Sequence, residues 1–426
     1  MGLTLAVGFL GCGTVGAAAL RLLEAHADDI RERSGSPIEV RRVAVRDPAR
    51  DRGVPAPALG FTGEPGEVLD DPDVHVVVEV MGGVEPAREL LLRALASGKH
   101  VVTANKELLA SHGEELFSAA EAAGVQLRFE AAVGGGIPLI GPLKESLAGE
   151  RIARLAGIVN GTTNYILTRM HQEGLSFDEA LARARELGYA EADPTADIEG
   201  YDAAAKCAIL ASIAFNSRVV AGDVAREGIG GVRREDIAFA ERLGYVVKPL
   251  AVAELAGGDV AVRVHPAMLP REHPLASVRG PFNAVFVEGE HVGELMFYGR
   301  GAGGEPTATA IVGDLVNIAR TRAGAGLGCT WYRRRRIRPV QESEGQFYLL
   351  LHVQDRPGVL AQIAGAFGDN GVSIERVWQE GTGEEALIVM ITHRANEGAL
   401  RRTVADLDGL GSVKEVRSVL RVEGGE

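Results

Sequence analysis

From residue 3 to residue 130 the chain alternates short apolar runs with segments of helical period. Residues 3–10 (LTLAVGFL) are rich enough in aliphatic side chains for a buried strand. Residues 17–32 read as a helix, and residues 38–46 as a second strand followed by a helix and a loop rich in Pro and Gly. Residues 74–80 (VHVVVEV) form a continuous apolar strand. A helix over 86–97, a strand over 100–103, a helix over 107–123 and a strand over 125–130 complete the series. Strands alternating with helices in this way predict a parallel, doubly wound sheet.

After residue 130 the pattern changes. Gly134-Gly135-Gly136-Ile137-Pro138 interrupts it, and residues 139–245 mix helices with polar motifs. Strands are expected over 248–254, 260–264, 283–288 and 294–298, then a glycine-rich turn at 299–304 and a helix over 306–321. Arg333 to Arg336 read as a solvated basic linker. From residue 346 the order is strand (347–353), helix (359–370), strand (373–379), strand (386–392), helix (397–407), strand (413–422). This βαββαβ order is the ferredoxin-like split βαβ plan. The expected division is a Rossmann-type dinucleotide-binding domain over 1–132, with the helix 306–323 packing back on it. An α+β substrate-binding, catalytic and dimerisation domain follows over 133–305, then a linker over 324–345 and a C-terminal domain over 346–426.

Composition narrows the class. With 426 residues the chain is long enough for two or three domains, and 46% hydrophobic with 24% charged residues fits a soluble globular protein. Lys and Arg number 45 against 58 Asp and Glu, a net charge of −13, which argues against nucleic acid or an anionic membrane as partner. No stretch approaches the roughly 18–20 apolar residues a bilayer requires. The N-terminus lacks a basic start and runs into a strand, so no secretory signal is expected and a cytoplasmic location is. Cys12, Cys207 and Cys329 show no CxxC spacing. Of the 45 basic residues only Lys99, Lys106, Lys144, Lys206, Lys248 and Lys414 are lysines. Lysines kept in an arginine-rich chain are enriched for tasks arginine performs badly, above all proton transfer.

Three constellations carry candidate chemistry. Gly11-x-Gly13-x-x-Gly16 follows a strand and opens a helix, the context in which glycines let backbone amides and a helix N-terminus approach a pyrophosphate. Gly11, Gly13, Thr14, Val15 and Gly16 are therefore the candidate cofactor-binding residues. At the end of the second strand Arg46-Asp47-Pro48-Ala49-Arg50 offers both an acid for NAD and arginines for the extra phosphate of NADP; Arg46 favours NADP, with NAD the alternative. Second, Thr103-Ala104-Asn105-Lys106 ends a strand of the same sheet, where ligands of such sheets bind, so Lys106 points toward the cofactor crevice. Third, the acids of residues 188–202 run into a nearly apolar helix carrying Lys206. Asp202 and Lys206 share a helix face, and a lysine buried beside carboxylates is a proton-handling candidate. A solvated acidic loop with an ordinary helical ion pair is the plainer alternative.

These residues resemble homoserine dehydrogenases of the monofunctional bacterial type that carry a C-terminal ACT domain. The resemblance is carried by GFLGCGTVG (8–16), VVVEVMGG (76–83), VVTANKELLA (101–110), EAAVGGGIPLI (130–140), GIVNGTTNYIL (157–167), GYAEADPTADIEGYDAAAKCAIL (188–210) and FYGRGAGGEPTATAIVGDL (297–315). It implies NAD(P)-dependent interconversion of L-aspartate 4-semialdehyde and L-homoserine, on the route to threonine, isoleucine and methionine. It also implies that Glu191, Asp197 and Asp202 bind substrate, that Lys206 is the proton donor, and that Lys106 lies by the nicotinamide. Gly303 would approach the cofactor. A sodium ion would be held by Glu130, Val133, Gly135 and Ile137, an oxygen-only set suited to a hard cation; without the resemblance, 134–136 reads as a hinge or turn. The C-terminal ACT domain implies feedback control, with L-threonine the leading effector, although a purely oligomerising role is the alternative.

The chemistry suits the residues. Hydride addition to an aldehyde builds negative charge on oxygen, and a lysine can both stabilise that charge and deliver a proton. Lys206 as acid/base with Lys106 polarising the carbonyl is the assignment, and exchanged roles remain open. An aspartate-semialdehyde dehydrogenase would need a cysteine nucleophile, and neither Cys207 nor Cys329 is placed for one. A non-catalytic amino-acid sensor would not need Lys106, Glu191, Asp202 and Lys206 together. Strand edges in the region 246–300 predict a homodimer or a dimer of dimers.

Overall fold

The computed structural model describes residues 4–54, 57–321, 333–381 and 383–424. The first three residues, the last two of the expected helix 306–323 and residues 324–332 of the expected linker, Cys329 among them, lie outside the described residues. The chain forms two compact units, one of residues 1–155, 205–221 and 283–335, the other of residues 156–204, 222–282 and 336–426.

In the first unit six parallel strands are ordered Phe61–Thr62, Ile38–Ala44, Leu5–Leu10, Val76–Glu79, His100–Thr103, Leu127–Arg128. This is the doubly wound order, and its switch point falls between Leu5–Leu10 and Val76–Glu79, where ligands bind at the carboxyl ends. Leu5–Leu10 is buried along its whole length, which explains its unbroken apolar sequence. One face of the sheet is covered by the helices Thr14–Ala25 and Gly304–Arg320, whose Ala18, Ala19, Leu23, Ile311, Leu315 and Ile318 share a core with Val7 and Phe9.

The helix expected over 17–32 is two. Thr14–Ala25 starts earlier because Gly13 caps it, and His26, with φ −115° and ψ 22°, separates it from Ala27–Ser34. Two acids in the first turn and two arginines in the last suit the second helix's dipole. Arg333, Arg334 and Arg336 are exposed, in keeping with the solvated reading, and they make surface contacts. Within the first unit Arg333 pairs its backbone with Ser217 and Arg334 meets Glu114; within the second, Arg336 binds Asp259 and Glu342.

The second unit contains the hairpin Tyr245–Ala256 and Asp259–Pro270, turned at Gly257 and Gly258 with φ of +61° and +92°. These strands run longer than the apolar clusters in the sequence suggest. Asp259–Pro270 is buried on both faces and so shows no alternation. The ACT domain is the antiparallel series Val413–Val422, Glu344–Gln354, Glu385–Thr392, Ile374–Gly381 with helices Val359–Asp369 and Glu397–Asp408.

Strand periodicity puts Phe347, Leu349, Leu351 and Val353 against those helices. Tyr348 and Leu350 face the opposite way, into a core shared with Ile237, Phe239, Val247 and Met268. The last ACT strand also pairs in parallel with Asp259–Pro270, Ala267 opposite Arg421 and Met268 opposite Val422. Within this unit the ACT domain is therefore continuous with the neighbouring hairpin in both hydrogen bonding and core. Among the described residues no helix is long and apolar enough to cross a membrane.

Candidate active site

The glycine turn of the first unit has the shape its spacing demands. Gly11 has φ +101°, and a Cβ there would lie 2.8 Å from Val80 O. At Gly13 a Cβ would meet nothing within 4 Å: this is open space in front of a helix N-terminus, where a pyrophosphate fits. Gly303 precedes the Gly304–Arg320 helix with φ +120°, and a Cβ on Gly304 would come within 3.0 Å of Thr14 Cγ2. The two helix starts are thus side by side. Val15 is half-buried, Thr14 exposed, and Arg46 exposed just beyond the strand Ile38–Ala44. These residues fit a dinucleotide cofactor.

The neighbouring loops are organised by three residues that motif reading did not single out for this role. Glu79 is fully buried, and its Oε1 accepts hydrogen bonds from the backbone amides of Met81 at 2.8 Å and Gly82 at 3.1 Å. Its Oε2 accepts from Thr103 Oγ1 at 2.6 Å. Asn105 caps the Lys106–Ala123 helix through Leu108 N and donates to Gly83 O at 2.6 Å. The loop after Glu79 is thereby tied to the turn that presents Lys106, which is half-buried at the first position of its helix. An acid ending an otherwise apolar strand was the available signal for Glu79.

Glu130 lies at the edge of the three-glycine turn. Its carboxylate accepts from the amides of Leu139 (2.5 Å), Ile140 (2.8 Å) and Gly141 (2.7 Å). A Cβ on Gly135, where φ is +57°, would sit 2.6 Å from the Gly301 carbonyl carbon, so close backbone approach requires glycine there. Val133, Gly135 and Ile137 are buried. Asp314 accepts from Glu130 N at 2.9 Å, and burial together with the Glu130 charge pushes its carboxyl up to about 7. The expected cation residues Glu130, Val133, Gly135 and Ile137 thus lie in one turn, with the acid Asp314 beside them, and oxygen ligands of that kind suit a hard monovalent cation. Among the described residues no three His, Cys, Asp or Glu side chains cluster as a metal site.

The acids of 188–202 lie in the second unit, where they have different partners. Asn160 Nδ2 donates to Asp197 Oδ1 at 2.6 Å and to Asp202 Oδ2 at 2.9 Å. Its own Oδ1 accepts from Thr163 N and caps the Gly161–Glu173 helix. Asp193 instead builds the local turn: it accepts from Thr195 N and Oγ1, which hold its carboxyl below the usual range. Glu191 is exposed and does not line the recess in which Asn160, Thr163 and Asp197 meet Glu227 and His265. Asp202 opens the helix Tyr201–Ala214, and Lys206 follows one turn later with only 8% of its surface exposed. Asn160 stands 42 residues before Asp202, so only its capping pattern, Asn three residues before Thr, was visible in sequence.

The other four lysines make structural contacts. Lys99 donates to Asp71 O and Val74 O, both at 2.7 Å, and Lys248 donates to Val278 O. A slim ammonium reaches buried carbonyls where a planar guanidinium does not fit. Burial and the Arg279 charge bring Lys248 down to about 8. Lys144 lies 5.5 Å from the rings of both Phe117 and Phe129, and Lys414 pairs with Glu385. Cys12 and Cys207 are buried, and burial pushes the Cys12 thiol up, which disfavours the thiolate.

Comparison with known families agrees with this layout. The family described as "Homoserine dehydrogenase" matches residues 138–316, and "Homoserine dehydrogenase, NAD binding domain" matches residues 11–130. The chain belongs to the homoserine dehydrogenase family. It is an oxidoreductase with homoserine dehydrogenase function, and an ACT domain matches at residues 347–411. The homoserine dehydrogenase of Mycobacterium tuberculosis is 51% identical over 431 residues, covering 98% of this chain and 97% of the relative. That of Corynebacterium glutamicum is 47% identical over 429 residues, covering 99% and 96%. A crystal structure of a homoserine dehydrogenase from Thiobacillus denitrificans superposes with a TM-score of 0.94 at 43% identity, covering 99% of this chain and 98% of that one. A crystal structure of the S. aureus enzyme gives 0.80 at 32%, covering both chains completely.

Proposed function

We propose that the chain interconverts L-homoserine and L-aspartate 4-semialdehyde with NADP as coenzyme, NAD being the alternative. The observation that carries the reading is that Asn160 binds both Asp197 and Asp202, and that Asp202 lies one helical turn before the buried Lys206. Two carboxylates suit the substrate ammonium, with Glu191 closing over it from the exposed loop. Lys206 takes the hydroxyl proton of homoserine during oxidation and returns a proton to the aldehyde oxygen during reduction. Lys106 polarises that oxygen.

Gly11, Gly13, Thr14, Val15 and Gly16 would hold the pyrophosphate, Arg46 the 2′-phosphate, and Gly303 would border the same cofactor. When bound, the nicotinamide supplies or accepts the hydride. Support for NADP comes from Arg46 and from a related hyperthermophilic archaeal homoserine dehydrogenase crystallised with NADPH, which is 28% identical with a TM-score of 0.63 over 74% of this chain. Glu130 and the carbonyls of Val133, Gly135 and Ile137 would hold a sodium ion that stiffens the three-glycine turn.

The ACT domain would bind L-threonine as feedback inhibitor. A homodimer or dimer of dimers is supported by two terminal strands: Gly293–Arg300 exposes Met296 and Tyr298, and Ile374–Gly381 exposes Val377 and Trp378.

Initial rates of L-homoserine oxidation with NADP⁺ and with NAD⁺, each with and without L-threonine, test the reaction, the coenzyme and the effector. The expected result is turnover that prefers NADP⁺ and is suppressed by threonine. Turnover that ignores threonine would remove the regulatory part alone. Absence of turnover with both coenzymes, in folded protein supplied with sodium, would overturn the reading.

A further inference from the structure

The recess that holds Asn160 and Asp197 is also lined by Glu227, a residue far from both in sequence. Glu227 belongs to a segment that backs the acid block. Its N–H donates to Val264 O at 2.8 Å, Ile229 N donates to Ile198 O at 3.0 Å, and Arg226 donates to Glu199 O at 3.1 Å. The Arg226 guanidinium also covers the Tyr201 ring at 3.5 Å. Contact is so close that a Cβ on Gly228 would lie 2.6 Å from Ile198 O. Residues 226–229 therefore form the wall against which the short Thr195–Ile198 helix, with its Asp197, is set.

That wall is held from the ACT domain. Arg421, on the last ACT strand, donates to Glu227 Oε2 at 2.8 Å and to Glu397 Oε1 at 2.6 Å. The Arg421 side chain is 14% exposed and that of Glu397 only 5%, so this pair acts in a medium poorer than water at screening charge and anchors the guanidinium that reaches out to the half-exposed Glu227. The strand itself is fixed beside Asp259–Pro270 by the Ala267–Arg421 register and by Arg263, which bridges Glu254 and Glu423 at 2.7 Å each.

We propose that the Arg421–Glu227 ion pair is a positioning device for substrate binding, through which the ACT domain sets the placement of Asp197 and hence the affinity for the substrate ammonium. This rests on the proposed role of Asp197 and Asp202. Neither Arg421 nor Glu227 is asked to touch the reacting atoms. The link predicts an effect on KM for the amino-acid substrate, with little on kcat and none on the coenzyme.

The test is steady-state kinetics of the full chain as wild type, Glu227→Ala, Glu227→Gln, Arg421→Ala and the Glu227→Ala/Arg421→Ala double variant. Thermal-shift titration with L-homoserine accompanies the kinetics. Glu227 is nearly half exposed on its side chain, so its variants are expected to fold even where loss of Arg421 destabilises Glu397. Glu227→Ala should raise KM for L-homoserine about tenfold and weaken the homoserine-induced thermal shift, with kcat within about twofold and KM for NADP⁺ unchanged. Glu227→Gln, which can still accept from the guanidinium, should recover much of the loss. The double variant should be no worse in KM than Arg421→Ala. Unchanged KM in Glu227→Ala, or fully additive effects, would overturn the proposal. Wild type that neither turns over nor gains thermal stability with L-homoserine would instead overturn the proposed function, and this inference with it.

Discussion

Asn160 and Asp197, 37 residues apart, are joined by a 2.6 Å hydrogen bond in which the amide donates to the carboxylate, and the same nitrogen donates to Asp202. An amide is well suited to this place. One nitrogen with two hydrogens reaches acids on two different helices, Asp197 on Thr195–Ile198 and Asp202 on Tyr201–Ala214. The same side chain caps the Gly161–Glu173 helix, which fixes its own rotamer.

Asn160→Ser separates these two tasks. Serine can still accept from Thr163 N as a helix cap, so stability should fall by no more than about 1 kcal/mol. The two donors to Asp197 and Asp202 are lost, and KM for L-homoserine should rise at least about tenfold, equivalent to roughly 1.4 kcal/mol. Kinetics beside a melting curve decide it. A KM equal to wild type would mean that the acids need no alignment.

Lys206 offers a sharper contrast. Lys206→Met keeps the length of the side chain in its buried position but carries no proton, and should lower kcat by about 10²-fold or more while coenzyme affinity, read by fluorescence titration, stays near wild type. Lys206→Arg keeps the charge yet holds its proton too tightly to exchange it at neutral pH, so it should not rescue turnover. Retention of more than about a tenth of wild-type kcat by Lys206→Met would transfer the proton step to another group, Lys106 first.

How much of this was readable beforehand follows the range of the interactions. Gly11, Gly13 and Gly16 act within one turn, and Asp202 and Lys206 within one helix, so spacing alone exposed them. The ACT order was legible for the same reason, since Phe347 to Val353 alternate between two buried faces and Val359 to Phe367 keep a helical period. Partnerships across the chain were not. Asn160 with Asp202, Glu79 with Thr103 and Arg421 with Glu227 depend on which strands become neighbours, and no local pattern encodes that. Arg334 and Arg336 are solvated as read, but their surface ion pairs with Glu114 and Asp259 join residues distant in sequence. Scarcity marks the lysines for tasks arginine performs badly without naming the task, and Lys99 and Lys248 use a slim ammonium to satisfy buried carbonyls.

Coenzyme choice should turn on Arg46. It is exposed just past the strand that faces the adenosine ribose in folds of this order, and an arginine there can pair with a 2′-phosphate. Arg46→Ala should raise KM for NADP⁺ by about tenfold or more and leave NAD⁺ within about twofold. The NADP⁺ effect should shrink at high salt, because an exposed pair is screened. Equal losses with both coenzymes would show that Arg46 serves the fold of the loop instead.

The junction between the ACT sheet and the helix Arg234–Arg242 contains a buried acid whose titration can be measured. Asp236 accepts from Arg233 N at 2.9 Å and from the Tyr348 hydroxyl at 3.4 Å, and burial pushes its carboxyl up to about 6. In the unfolded chain it would titrate near 4. Between these values the folded protein keeps a proton that the unfolded chain has released. Wild-type stability from this group is therefore complete below about pH 4, falls as pH rises toward 6 and levels off above it. Asp236→Asn keeps an acceptor for Arg233 N and has no charge to bury. Its stability relative to wild type should thus improve by about 1–3 kcal/mol between pH 4 and pH 7, read as a difference in denaturation midpoints across that range. A difference that stays flat with pH would mean that Asp236 remains ionised throughout, held by Arg233 N and Tyr348 strongly enough to offset its burial.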